Sequence, residues 1–305
     1  VPQPESQADH RPHTQAHRPP RDRPPRLGVV VITMGNRPRE LDALLASVAF
    51  QDVPPHRVVV LGNGSPLPEL PPLPGTLTKI ELDENLGCPG GRNVAIERLM
   101  EFGDVDVVVE LDDDGLLVDS DVFRRIRDLF AADPRLGIAG FRIADETGET
   151  QRRHIPRLRA DDPMRRGLVT AFLGGGHAFS AEMLAQTGTW PAQFFFGHEE
   201  TDLAWRAVDA GWKILYEPAL LLQHPRTSPA RHAVYHRYTA RNRVWLVRRR
   251  LPLPLIPVHS ASGRFSRWPA RARCPAFGPG SAASPKGCGR RAAGAGRCGG
   301  ARCGG

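Results

Sequence analysis

The residues equipped for chemistry fall into four clusters. The first is Asp112-Asp113-Asp114-Gly115, which ends an apolar run, Val107–Leu111, that carries Glu110 inside it. Three adjacent carboxylates repel one another unless a cation neutralises them. Oxygen ligands on such a turn suit Mg²⁺ or Mn²⁺ with a bound diphosphate. Taken alone, three aspartates in a row are as readily a solvated acidic turn. The second cluster runs from Glu81 through Asn85-Leu86-Gly87-Cys88-Pro89-Gly90-Gly91-Arg92-Asn93. Its glycines let backbone approach a ligand closely, and the N-terminus of the helix expected near Gly91 can face an anion. It lacks the Gly-Lys-Ser/Thr of a Walker loop and the G-x-G-x-x-G of a dinucleotide fold. The third is Gly174-Gly175-Gly176 with Phe179. The fourth is Phe194-Phe195-Phe196-Gly197-His198-Glu199-Glu200-Thr201-Asp202, running on to Arg206.

An aromatic run is commonly core. Three carboxylates that open a helix directly after one need a further explanation. Thr201 and Asp202 suit a cap; Glu199 and Glu200 are left beside apolar surface. Apolar neighbours raise a carboxyl group's pKa toward a value useful for proton abstraction. Glu200 and Glu199 are therefore both candidates for a general base, with Asp202 the third catalytic candidate. His224 follows the apolar run Ala219–Leu222, where a structural histidine is the plain alternative.

Strand and helix patterns alternate around these clusters. Val29–Met34, Arg57–Leu61, Thr78–Leu82 and Val105–Leu111 read as strands, the first as one buried on both faces. Pro38 suits the first turn of a helix with Leu41, Leu44, Leu45 and Val48 on its buried stripe. Ser120 or Asp121 can cap another that carries Val122, Phe123, Ile126, Leu129 and Phe130. This order predicts an α/β fold, a Rossmann-like, mostly parallel sheet flanked by helices. Such sheets bind ligands beyond the carboxyl ends of their strands.

In order along the chain, Val29–Pro38, Asn63-Gly64-Ser65, Asn85–Asn93, Leu111–Asp114, Gly174–Phe179, Phe195–Arg206, His224 and Arg241-Asn242-Arg243 resemble the family 2 glycosyltransferases of the GT-A fold. The resemblance covers residues 28–250. The Asn36-Arg37-Pro38 and His198–Asp202 segments look like the bacterial galactofuranosyl- and rhamnosyltransferase-like branch. The resemblance implies a metal-dependent, inverting hexosyltransferase that takes a nucleoside-diphosphate sugar, UDP- or dTDP-linked, and serves cell-wall or polysaccharide synthesis. Its acceptor would be a glycan or a lipid-linked hydroxyl. Thr33, Arg37 and Asn63 would line the nucleotide pocket, with Asn85, Gly91, Arg92 and Asn93 near nucleotide and sugar. Asp112 and Asp114 would hold Mn²⁺ or Mg²⁺ as the outer residues of the D-x-D motif, Asp113 would lie beside the donor, and His224 would be a further metal ligand. Glu200 stands at the base position. Two departures stand out: Gly62 precedes Asn63 where the family often has Asp, and the base is Glu where it is usually Asp.

Composition bounds the rivals. The chain of 305 residues has a net charge of +8, but residues 27–258 sum to about −3 and the ends carry the excess. An acidic core disfavours nucleic-acid binding except through the basic ends. A GT-A-like nucleotidyltransferase remains the enzymatic alternative. Residues 1–26 are rich in Pro, Arg and His, and 259–305 in Gly, Ala and Arg; both are expected to be disordered tails. The abrupt change after Val258 also fits a shifted reading frame in GC-rich DNA. Cys88 is the only cysteine before that end, so no disulfide framework is expected, which favours a reducing compartment. With no secretory signal and no run of about 18 apolar residues, a cytoplasmic location is expected. Arg248-Arg249-Arg250 beside Leu251–Val258 adds an expected peripheral contact at the inner face of the plasma membrane.

Overall fold

Val29, Val30 and Val31 are all buried because their strand lies inside a sheet covered on both faces. The computed structural model describes residues 23–157, 161–226 and 235–257. Strand β1 (Leu27–Thr33) is followed by α1 (Pro38–Ala49), β2 (Arg57–Asn63), β3 (Thr76–Leu82), α2 (Gly87–Glu101) and β4 (Val107–Asp112). Then come β5 (Leu116–Leu117), α3 (Val122–Ala132), β6 (Leu136–Ala144), β7 (Gly167–Val169), β8 (Gly176–Ser180) and α4 (Ala181–Thr187). Helix α5 (Glu199–Asp209), strand β9 (Lys213–Gln223) and helix α6 (Tyr235–Arg250) complete the order.

The sheet runs β3-β2-β1-β4-β8-β6-β9-β5, with β7 paired to β9. Its first four strands are parallel, as are β6 and β9. Strand β8 runs antiparallel between β4 and β6. This reversal matters for the site. It sets the start of β8 beside the end of β4, with Leu111 opposite Gly176, so the glycine run meets the aspartate run.

Alternation along β1 feeds two cores. Val29 and Val31 pack with Leu41, Leu44, Leu45 and Val48 of α1 and with Phe123 and Ile126 of α3. Val30 packs with Ile96 and Leu99 of α2 and with Leu203 of α5. Each such aliphatic side chain contributes about 1.5–3 kcal/mol of transfer free energy when buried. Pro38 occupies the first turn of α1, and Asp121 precedes α3 without a side-chain capping bond.

Two expected boundaries move. Helix α2 begins at Gly87, a turn before Gly91. The expected N-terminal tail ends earlier, because Arg23 and the Arg26 amide are already bound to the Asp106 carboxylate. Residues 1–22 and the tail expected at 259–305 lie outside the described residues. No helix among the described residues is long and apolar enough to cross a membrane.

Candidate active site

Strand β4 delivers Asp112 at its last residue, and the following turn carries Asp113 and Asp114. Strand β9 ends at Gln223, so His224 stands just beyond it. His224 Nε2 lies 3.0 Å from Asp114 Oδ1 and 4.0 Å from Asp112 Oδ2. Ligand atoms of all three residues fall within 4.8 Å of one another. Two carboxylates and an imidazole at this spacing are a fitting donor set for Mn²⁺ or Mg²⁺. Gly175 lies beside them: a Cβ there would sit in ordinary contact, 3.7 Å from both Asp112 Oδ2 and His224 Cδ2.

Arginines balance the charge. Arg92 donates to Asp112 Oδ1 at 2.6 Å and to the Gly174 carbonyl at 2.9 Å. Arg37 bonds Asp114 and reaches Asp113 at 3.2 Å. Burial works against a charged His224, but its hydrogen bond to Asp114 and the charges of both aspartates outweigh that and raise its pKa. Asp113 points away from the trio. Burial pushes its pKa up, against the Thr33 hydrogen bond and the Arg37 charge.

Glu200 lies across the glycine run. A Cβ on Gly174 would stand 2.5 Å from Glu200 Oε1. Gly174 and Gly175 thus lie between the carboxylate of Glu200 and the Asp112–Asp114–His224 set; a larger residue at Gly174 would press on Glu200, whereas a Cβ at Gly175 would make only ordinary contacts. Glu199 is 3% exposed, and its Oε2 has no hydrogen-bond partner among the described residues. Burial, foremost, raises the pKa of both glutamates; the charge of Glu200 adds to this at Glu199. Arg92 opposes the rise at both, and the α5 backbone and His177 oppose it at Glu200.

No family model matches the chain, and no curated protein matches it. Solved structures do. The mannosyltransferase PcManGT from Pyrobaculum calidifontis, in complex with GDP-Man and Mn²⁺, aligns with a TM-score of 0.52 at 19% identity, over 79% of this chain and 70% of its own. GalNAc-T7, with UDP, GalNAc and Mn²⁺, aligns with a TM-score of 0.55 at 13% identity, over 74% of this chain and 48% of its own. The chain has the GT-A glycosyltransferase fold. It spans about half the length of the GalNAc-T7 chain.

On this GT-A sheet several expected site residues are otherwise employed. Thr33 is 2% exposed; its hydroxyl donates to Asp113 at 2.7 Å and accepts from the Gly35 amide. Asn63 is also buried, and its amide group is spent on Asn85, Gly87 and Leu86. Neither presents a free side chain to a nucleotide. Asn93 exchanges two hydrogen bonds with the Trp190 backbone, both 2.9 Å, and is a tether between α2 and that loop. Gly91 sits one turn into α2 against Asn63. Asn85 remains exposed; its Oδ1 accepts from Asn63 and the Gly87 amide. Asp202, grouped with the catalytic carboxylates from sequence, is fully buried and bound by Arg206 and Arg250. Nor does it cap α5, which starts three residues earlier at Glu199.

The sequence reading missed the support beneath the site. Glu110, His177 and Trp190 form a buried network: His177 Nε2 meets Glu110 Oε2 at 2.6 Å, and Trp190 Nε1 donates to the same carboxylate. His177 Nδ1 faces the Leu173 carbonyl at 3.0 Å, which anchors the glycine run. The Trp190 ring lies 5.2 Å from the Arg92 guanidinium. Glu110 inside an apolar strand was the visible signal. Its partner required the antiparallel β4–β8 register, which sets Glu110 opposite His177.

Proposed function

We propose that the protein is a metal-dependent, inverting glycosyltransferase that moves a hexosyl group from a nucleoside diphosphate to a hydroxyl of a glycan or lipid-linked acceptor. The observation that carries this reading is the convergence of Asp112, Asp114 and His224 at the carboxyl end of the parallel strands, with Glu200 across Gly174. Asp112, Asp114 and His224 would hold Mn²⁺ or Mg²⁺, which when bound offsets the charge of the departing diphosphate. Arg92 fixes Asp112 through a partly buried hydrogen bond, and Arg37 stands at Asp114 ready to face phosphate oxygens. Glu200 takes the proton of the attacking hydroxyl as that oxygen bonds to the anomeric carbon. Attack from the face opposite the nucleotide gives inversion.

The GDP-Man and Mn²⁺ in the mannosyltransferase structure, and the UDP, GalNAc and Mn²⁺ in the GalNAc-T7 structure, support the donor class. The residue pattern supports family 2 and its galactofuranosyl- and rhamnosyltransferase-like branch, with a UDP- or dTDP-sugar and a role in cell-wall or polysaccharide synthesis. A cytoplasmic site of action at the membrane's inner face goes with that acceptor class. Exposed Arg248 and Arg249, followed by exposed Leu253 and Leu255, support a peripheral contact with anionic lipid there. Sedimentation with anionic vesicles tests it; no pelleting above the level with neutral vesicles refutes it.

The functional test is a panel of nucleotide sugars with Mn²⁺ or Mg²⁺. Release of nucleoside diphosphate is expected. Release of pyrophosphate from a nucleoside triphosphate and a sugar phosphate would mark a nucleotidyltransferase instead.

A further inference from the structure

The loop before Glu199 is held in a backbone shape its residues do not favour. Phe195 has φ 63° and His198 φ 71°, and they are the only non-glycine residues with positive φ among those described. Gly197, between them, has φ 83°. Side chains rarely tolerate this region, and such strain persists only where surroundings impose it. Glu199 and Glu200 follow immediately as the first residues of α5.

The surroundings that impose it come from α6. Asn242 is fully buried, and its Nδ2 lies within hydrogen-bond distance of three loop carbonyls: Phe194 at 2.8 Å, Phe196 at 3.0 Å and Gly197 at 2.8 Å. Two N–H groups serve three acceptors, so the carbonyls converge on one point. Asn242 Oδ1 accepts from Arg241 Nε at 3.0 Å, which fixes the orientation of the amide. Arg241 adds a bond to the Phe194 carbonyl at 2.8 Å while its guanidinium lies over the rings of Tyr238 and Trp245. From the other side, the Cys88 amide at the start of α2 donates to the Phe195 carbonyl at 2.9 Å. A Cβ on Gly87 would come within 2.5 Å of that carbonyl, so this contact requires glycine.

We propose that Asn242 is a positioning residue for the Glu199–Glu200 carboxylates, acting through the strained Phe195–His198 loop. This rests on the assignment of Glu200 as the base. A side-chain amide is the group the place demands: it offers N–H donors to the carbonyls and an acceptor to Arg241. Alanine would leave the carbonyls without their shared donor, and the loop would relax toward negative φ. The first turn of α5 would then carry Glu200 away from Gly174. The proposed metal ligands at the ends of β4 and β9, and Arg37, make no hydrogen bond with Asn242 among the described residues.

The test compares Asn242→Ala with Leu246→Ala, a buried residue one turn along α6 whose side chain has no donor for the loop carbonyls. Both are expected to lower the melting temperature. Only Asn242→Ala is expected to lower kcat, by about 10²-fold, the scale of a misplacement near 1 Å, with Mn²⁺-dependent nucleotide affinity within about twofold of the parent, consistent with the loss of a transition-state interaction alone. Equal kcat in the two variants overturns the proposal, as does a parallel loss of nucleotide binding. Should Asn242→Ala not fold, Gly197→Ala strains the same loop directly and carries the same expectations. Carbon-13 glutamate spectra read the position of the carboxylates whatever the reaction. Glu199 and Glu200 signals should move in Asn242→Ala and stay fixed in Leu246→Ala; unmoved signals overturn the proposal. A parent protein that releases nucleoside diphosphate from no donor refutes the functional reading instead.

Discussion

Glu200 and Glu199 share a buried, acidic corner, yet their surroundings assign them different work. Glu200 Oε1 lies over Gly174, where a Cβ would come within 2.5 Å of it, while Glu199 is 3% exposed. Glu200→Gln keeps size and hydrogen bonding but removes the base, so turnover should fall by about 10²–10⁴-fold with donor affinity little changed. Normal turnover in Glu200→Gln beside a dead Glu199→Gln would move the base by one residue. Gly174→Ala should give a similar loss by another route, because the new methyl displaces the Glu200 carboxylate; nucleotide binding by calorimetry should survive. The raised pKa of Glu199 also has a consequence for stability. A carboxyl raised above its ordinary value stabilises the fold fully below that value and loses the contribution as pH rises through the raised one. Glu199→Gln should therefore melt above the parent at pH 8 and close to it at pH 5. A melting difference that does not grow with pH contradicts the burial argument.

Elements were legible where one periodicity dominated. The β-branched run at β1 and the Leu41, Leu44, Leu45, Val48 stripe of α1 sit where the patterns put them. The D-D-D turn at the end of β4 could be read because an apolar strand directly precedes it. What could not be read depended on long-range register. Thr33, Asn63 and Asn93 have the polar character of pocket residues, but only the folded backbone reveals that Asp113, the Asn85–Gly87 turn and Trp190 already occupy them. Asp202 is the clearest case, since the ion pairs come from one turn along α5 and from the far end of α6. Removing one partner of a buried ion pair costs about 3–5 kcal/mol. Asp202→Ala should fall near the lower end, because Arg206 and Arg250 keep 14% and 22% of their side-chain surface exposed. Urea denaturation measures it; a loss below about 1 kcal/mol would show that the pair behaves as a surface contact.

At the scale of the whole molecule, two cores lie on either face of one sheet, and among the described residues none beyond α6 belongs to them. The compact unit ends at His259. A chain shortened to residues 1–259 is expected to melt cooperatively within a few degrees of the full-length protein; a large drop would mean that the basic C-terminal stretch stabilises the GT-A unit. The charge of the chain does not describe this unit, because the basic excess lies at the ends and the site itself is acidic. That acidity is what a divalent cation would neutralise, and a cation held there would in turn attract a diphosphate. The most direct test is calorimetric titration of UDP and GDP into the protein with and without Mn²⁺, repeated in Asp114→Asn. The account predicts nucleotide binding that requires Mn²⁺ in the parent and is sharply weakened in Asp114→Asn, while the melting temperature stays near that of the parent. Equal, Mn²⁺-dependent affinity in the two proteins would contradict it.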